Sequence, residues 1–248
     1  MKWRIIKLQA HDAFFNMAAD EAISDSIAEQ NSPPTIRFYR WKPGAVSIGH
    51  FQSMNDEVNV EKCDSLGIDY IRRKTGGGAV YHDENGEITY SVIAPEGMFP
   101  KGILESYRVI CGWIIEGLAN LGIHAEFAPI NDITVLGKKI SGNAQTRRKG
   151  TLLQHGTILY DLKIETMFSL LKITNEKISD KMIKNVEDRV TRVLNYKQVS
   201  QEQLYDALLE GFTEGKEYEF GEMSAQEFEA AKSLSEKVYR TREWNFMR

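Results

Sequence analysis

Cysteine is scarce in this 248-residue chain: Cys63 and Cys111 are the only two, without a CxxC spacing, so a disulfide framework and a cysteine-based metal site are excluded. Proline is scarce too, with six residues scattered along the chain, and no internal repeat or low-complexity tract marks a linker. No stretch approaches the ~18 consecutive apolar residues of a transmembrane helix. The charges in Met1-Lys2-Trp3-Arg4-Ile5-Ile6-Lys7 interrupt any signal-peptide core. A basic excess is missing: 31 Lys+Arg face 35 Asp+Glu, a net charge of −4, which argues against a general nucleic-acid binder. The five histidines show no metal-ligand spacing. These absences leave a soluble, cytoplasmic globular protein, with neither nucleic acid nor membrane as partner. With 42% hydrophobic residues and no linker, residues 1–248 are expected to form a single domain whose core needs no staples.

What is present alternates between the helical and the extended period. Phe15, Ala19, Ile23 and Ile27 recur every four residues, predicting an amphipathic helix over about 13–29 with Asp12 as N-cap, closed by Pro33-Pro34. Strand-like runs follow at 35–39, where Ile36 and Phe38 alternate with polar neighbours, and at 45–48. A polar, weakly helical stretch spans 55–66 and ends at Gly67. Strands are expected at 69–73, 79–82 and 87–93, the last two joined through Glu84-Asn85-Gly86, a hairpin signal. A helix over about 104–121 carries Tyr107, Ile110, Cys111, Ile114, Leu118 and Leu121 on one side. Short strands fit 125–128, 133–136, 139–143 and 152–159, and helical patterns fit 164–172, 176–186, 200–214 and 224–239. Without regular βαβα alternation, the fold class expected is α+β: a mixed β-sheet with helices packed on one side.

The densest chemical signal is Arg72-Arg73-Lys74-Thr75-Gly76-Gly77-Gly78-Ala79-Val80-Tyr81-His82-Asp83. Three glycines remove three β-carbons and let a ligand lie against bare N–H groups, while the upstream cations add charge for a phosphate or carboxylate. The spacing is neither a Walker loop nor the GxGxxG of a dinucleotide fold. The plainer alternative is a glycine turn with a solvated basic edge. In Asn131-Asp132-Ile133-Thr134-Val135-Leu136-Gly137-Lys138-Lys139-Ile140-Ser141-Gly142-Asn143, the adjacent lysines point to opposite faces of an extended segment, so one could enter a pocket. If Asp132 lies beside an entering Lys, the pair could hold a nucleotide through Mg²⁺ and phosphate; an exposed Lys pair is the plainer reading. His155, in an apolar strand-like run, and His82 read as packed, hydrogen-bonded residues. Cys111, on the apolar helix face, and Cys63, in a polar stretch near Lys62, read as structural rather than nucleophilic.

Taken in order, these pieces resemble the lipoate–protein ligase A family of the biotin/lipoate ligase superfamily. They are Asn16-Met17-Ala18-Ala19-Asp20-Glu21, Arg37-Phe38-Tyr39-Arg40-Trp41, Ser47-Ile48-Gly49-His50-Phe51-Gln52, the arginine–glycine loop, Asn131-Asp132, Gly137-Lys138-Lys139-Ile140-Ser141-Gly142, Gln154-His155-Gly156-Thr157-Ile158-Leu159, and Tyr239 with Glu243-Trp244-Asn245. The resemblance implies a fold like the class II tRNA synthetase and biotin ligase catalytic domains. It also implies an ATP-dependent lipoate–protein ligase: lipoate and Mg·ATP give lipoyl-AMP, and a lysine of an apo lipoyl domain (H protein or E2-type) then takes the lipoyl group. Positioned cations should account for much of that rate, since one anion attacks another.

Carried over residue by residue, the resemblance implies Arg73 as the adenylate-binding arginine and Gly78, Ala79, Val80 and Tyr81 along the nucleotide. It implies Lys139 as the essential lysine, and Asn131 and Asp132 at the nucleotide and Mg²⁺ end with Asn143 nearby. Gly76 and Gly77 would admit the acyl chain, with Val46 and Ile48 as guesses for its apolar tunnel. Two departures stand out. Many members carry a small C-terminal domain after the Trp-Asn motif, whereas this chain ends at Arg248; the expectation is a separate small accessory subunit, or a chain limited to transfer from lipoyl-AMP. Related octanoyltransferases use a Cys nucleophile, in one branch placed before the Lys-Ile-Ser-Gly region; segment 127–134 here has none, which favours the ligase. The alternatives are an acyltransferase working from a carrier protein and a non-catalytic lipoyl-AMP-binding subunit.

Overall fold

The computed structural model describes residues 2–172 and 188–248. In chain order the elements are β1 (Trp3–His11), α1 (Ala13–Ala28), β2 (Thr35–Trp41), β3 (Ala45–Ile48), α2 (Met54–Glu57), α3 (Val60–Leu66), β4 (Asp69–Arg72), β5 (Val80–His82) and β6 (Glu87–Pro95). Then come α4 (Ile103–Asn120), β7 (Glu126–Ala128), β8 (Asp132–Val135), β9 (Lys138–Arg148), β10 (Thr151–Leu159), α5 (Ile164–Leu170), α6 (Gln201–Thr213), β11 (Tyr218–Phe220), α7 (Ala225–Leu234) and α8 (Arg242–Asn245). The helical pattern at 176–186 lies outside the described residues.

The strands form an eight-stranded mixed sheet, β11-β1-β2-β6-β10-β9-β8-β7, and a three-stranded sheet, β4-β3-β5. β1 runs parallel to both β11 and β2, and the pairings from β2 through β6, β10, β9, β8 and β7 are antiparallel. Among the described residues no helix is long and apolar enough to cross a membrane.

Local signals explain the helix starts. Asp12 caps α1, its side chain accepting from the Phe15 N–H at 2.8 Å, and Ser200 and Ser224 each complete a capping box, with Gln203 and Glu227. The mixed sheet flanked by helices is as expected, but the helices are not confined to one side. Ile36 and Phe38 of β2 join Ile110, Ile114, Leu118, Leu204, Leu208 and Phe212 in the core under α4 and α6. Arg37 and Tyr39 face the other way, into α1: Tyr39 packs with Met17 and Ala19, and Arg37 donates to Asp20 at 2.9 Å. The polar neighbours in β2 are therefore a second buried face, which alternation alone cannot distinguish from a wet one.

The Asn-Gly signal is also corrected. β5 pairs with β3 in the small sheet and β6 with β2 and β10 in the large one, so residues 83–86 carry the chain between sheets rather than closing a hairpin. Asp83 organises the crossing, accepting from the Asn85 N–H at 3.0 Å. The crossing puts His82 opposite Glu87, Nδ1 to Oε1 2.6 Å.

Candidate active site

Where the two sheets meet, a cavity of about 270 Å³ opens between β5, β9, β10 and the chain that follows β10. Leu159, Leu162, Met167, Leu171 and Val190 give it an apolar wall; Arg73, His82, Asn131, Lys139, Asn143 and His155 lie among its polar residues. Such a cavity, apolar with a few convergent polar groups, suits a ligand with a short hydrocarbon tail and a reactive polar head.

The strand period sets Lys139 and Lys138 apart. Lys139 lines this cavity and its Nζ lies 2.7 Å from Asp132 Oδ1 across the β8–β9 pairing, while Lys138 lines a neighbouring groove with Arg192. A glycine makes room for the inward lysine: a β-carbon at Gly142 would lie 2.7 Å from both Cε and Nζ of Lys139. Asn131 and Asn143 clasp each other's backbones. Asn143 Nδ2 donates to the Asn131 carbonyl at 2.9 Å, Asn131 Nδ2 donates back to the Asn143 carbonyl, and Tyr90 OH donates to Asn143 Oδ1 at 2.7 Å.

Arg73 is buried beneath the glycine loop. Its Nε donates to Thr75 Oγ1 (3.3 Å), Nη1 to the Ser47 carbonyl (3.0 Å) and Oγ (2.8 Å), and Nη2 to the Gly76 and Gly78 carbonyls (2.8 and 3.0 Å). All five guanidinium N–H directions are thus engaged. Burial without a contacting carboxylate among the described residues lowers its pKa to about 10. The loop sits close against β3's end: a β-carbon at Gly49 would lie 2.0 Å from the Gly77 carbonyl oxygen.

Of the residues expected at the site, Arg73, Gly77, Gly78, Ala79, Val80, Tyr81, Asn131, Lys139 and Asn143 line the cavity. Gly76 does not; its carbonyl anchors Arg73 instead. Asp132 stands behind Lys139 with its carboxylate paired to that lysine, and, among the described residues, no three of His, Cys, Asp and Glu converge on a metal-sized site. Val46 and Ile48 are corrected. Their neighbour Ser47 faces the cavity, so period 2 turns both into the core with Met54, Val58 and Cys63. The apolar wall comes instead from Leu159 at the end of β10 and, beyond it, from Leu162, Met167, Leu171 and Val190, which no motif marks.

His155 and His82 both line the cavity, as packed and hydrogen-bonded residues: His155 Nε2 is 2.8 Å from Thr75 Oγ1, and His82 Nε2 is 2.8 Å from Ser47 Oγ. Burial lowers the His155 pKa, with Asp20 opposing. Ser47, Tyr39 and Trp41 also line it, and in the sequence they stand out only as members of the motif strings around them. Neither cysteine reaches the cavity lining; burial pushes each thiol up to about 12.

The family model for the lipoyl protein ligase A/B catalytic domain matches residues 12–213. Over essentially its whole length the chain is 38% identical to the octanoyltransferase LipM of Kyrpidia tusciae (98% of each chain covered). It is 35% identical to that of Brevibacillus brevis, covering 100% of this chain and 99% of the relative. Among solved structures, a bi-partite lipoate protein ligase from Thermoplasma acidophilum, described with its E2 lipoyl domain, superposes with a TM-score of 0.88 at 33% identity, covering 99% of this chain and 96% of that one. The expectation of an ATP-dependent lipoate ligase is overturned by the full-length octanoyltransferase relatives. The absence of a cysteine from segment 127–134 therefore does not make the chain a ligase, and the adenylate step, with its ATP, Mg²⁺ and lipoyl-AMP, loses its support. The matched model and the full-length relatives place the chain in the lipoyl protein ligase A/B catalytic-domain family, among the enzymes of protein lipoylation.

Proposed function

We propose that this chain transfers an octanoyl group from the thioester of a carrier protein to a lysine amine of an apo lipoyl domain, H protein or E2-type. The observation that carries this is the cavity itself: an apolar wall for a hydrocarbon chain, ending at Lys139 and the buried Arg73. The name of the full-length relatives supports octanoyl as the group moved, and the E2 lipoyl domain described with the Thermoplasma neighbour supports the acceptor.

In this reading the octanoyl tail lies along Leu162, Met167 and Leu171, with its carbonyl near Lys139. The acceptor amine adds to the carbonyl carbon, the C–S bond breaks, an amide forms, and the proton lost by the amine ends on the departing carrier thiolate. The Lys139 ammonium, steered by Asp132, and the fixed charge of Arg73 stabilise the oxyanion that develops on the way. Cys63 and Cys111 take no part, being buried, held as thiols and outside the cavity.

The test is the intact mass of an apo lipoyl domain incubated with the purified chain. Octanoyl carrier protein alone should add one octanoyl group, and Cys63→Ala and Cys111→Ala should transfer at the wild-type rate. Modification only with lipoate and Mg·ATP would overturn the reading, as would tight binding of the acyl donor without any transfer.

A further inference from the structure

Behind Arg73 lie two parallel chains of hydroxyl, imidazole and carboxylate. In the tighter one, His82 Nδ1 is 2.6 Å from Glu87 Oε1, His82 Nε2 is 2.8 Å from Ser47 Oγ, and Ser47 Oγ is 2.8 Å from Arg73 Nη1. With Glu87 taken as the acceptor, the His82 proton is assigned to Nδ1; Nε2 then accepts from the Ser47 O–H, and Ser47 Oγ accepts from Arg73. The looser chain runs from Arg73 Nε through Thr75 Oγ1 and His155 to Asp20 Oδ2, its last link 3.4 Å.

The tight chain is braced at its far end. Trp41 stacks on His82 at 3.9 Å and donates Nε1–H to Thr89 Oγ1 at 2.8 Å, and Thr89 in turn donates to Glu87 Oε1 at 3.0 Å. Glu87 is fully buried, and its Oε2 has no hydrogen-bond partner among the described residues. Taking a carboxylate out of water is costly unless its charge is compensated by the groups around it. Here the charge is directed through His82 and Ser47 toward a guanidinium that no carboxylate among the described residues touches.

The order Ser–His–Glu is that of an acyl-transfer triad, but Ser47 is fully buried and its oxygen already holds Arg73. We propose that Glu87, His82 and Ser47 form a positioning relay that holds Arg73 for the acyl-transfer step, Ser47 being a hydrogen-bonding link rather than a nucleophile. The inference rests on the transferase reading only through the assay, since the relay and Arg73 keep their geometry whichever donor is used.

The test is a double-mutant cycle read as kcat and KM. Glu87→Gln is nearly isosteric: its amide oxygen takes the Oε1 place and its NH₂ the unpartnered Oε2 place, so shape and His82 tautomer are retained and only charge is removed. It should lower kcat by about tenfold to a hundredfold, as outer partners of a reacting group do, with KM for the lipoyl domain unchanged. Ser47→Ala should cost a similar factor. The double variant should be no more than about twofold below the worse single, because the link is already cut.

Multiplying losses, a Glu87→Gln kcat within about twofold of wild type, or an octanoyl adduct on Ser47 would each overturn the relay. The cycle uses whichever donor modifies the domain with wild-type protein, so silence from octanoyl carrier alone counts against the functional reading and not against the relay. Independently of turnover, ¹⁵N spectra of histidine-labelled protein should show His82 as the Nδ1–H tautomer, and an Nε2–H tautomer would also overturn it.

Discussion

Gly142→Ala separates the placement of Lys139 from the integrity of the fold. The new β-carbon would stand 2.7 Å from both Cε and Nζ of Lys139, where ordinary contact begins near 3.4 Å. The end of the lysine must therefore retreat by roughly 0.7 Å or more, away from an amine position fixed by Asp132 at 2.7 Å. Misplacing a reacting group by about 1 Å can cost about a hundredfold in rate. Stability should move little and upward. Gly142 does not use a positive φ, and the atoms it meets belong to a flexible, 41% exposed side chain, so the narrower unfolded ensemble contributes about 0.4–1 kcal/mol in favour of folding. The assay is octanoyl transfer by intact mass beside a thermal melt. A variant that transfers at the wild-type rate, or one that loses activity because its Tm has fallen, would refute this account of Gly142.

Three further outcomes follow from the same geometry. Lys139→Ala should abolish transfer while leaving Tm nearly unchanged, since its partly exposed pair with Asp132 is worth less than about 1 kcal/mol; undiminished transfer would remove Lys139 from the mechanism. Asp20→Ala should destabilise by about 3–5 kcal/mol in denaturant melts, because it leaves the buried Arg37 guanidinium without its carboxylate; a loss below about 1 kcal/mol would show that Arg37 finds another partner. His155 has its folded pKa held below 6.5 by burial, so the unfolded chain binds the extra proton first. Stability is then present above pH 6.5 and is lost as pH falls toward the depressed value. His11 and His50 are shifted the same way, so the measurement is the slope of Tm with pH below about 6.5 in wild type against His155→Gln, which should be flatter; an unchanged slope would assign the loss to the other two.

How far the site could be read in advance depended on whether a residue's neighbours lie in its own strand. Lys139 and Asp132 were legible because period 2 sends adjacent lysines to opposite faces and a short β8–β9 connection brings the carboxylate back. The arginine–glycine loop stood out by composition alone, and Arg73, Gly77 and Gly78 do line the cavity. Ser47, His82 and Glu87 were not legible as a group. A hairpin at the Asn-Gly turn would set His82 opposite Glu87 as well, but nothing in the sequence brings Ser47 beside His82; that contact comes from the β3–β5 pairing. Nor could most of the apolar wall be seen, since Met167 and Leu171 lie in a stretch whose pattern fits any surface helix and Leu162 and Val190 lie in no motif.

The arginine shows most clearly what composition could not say. A cation beside three glycines was expected to reach out and grip an anion, yet every N–H of Arg73 is tied to this chain's own oxygens. Such a group gives no new hydrogen bond to a substrate unless the glycine loop opens. What it would supply in the proposed transfer is a fixed positive charge, without a contacting carboxylate among the described residues and buried, where charge acts more strongly than in solvent. Lys139 is the complement: half-exposed at the cavity, with its amine held in place by Asp132. In the proposed transfer, a buried cation that sets the field and an accessible, positioned cation that meets the substrate suit a reaction whose negative charge appears only in passing, on the carbonyl oxygen, and is gone when the amide has formed.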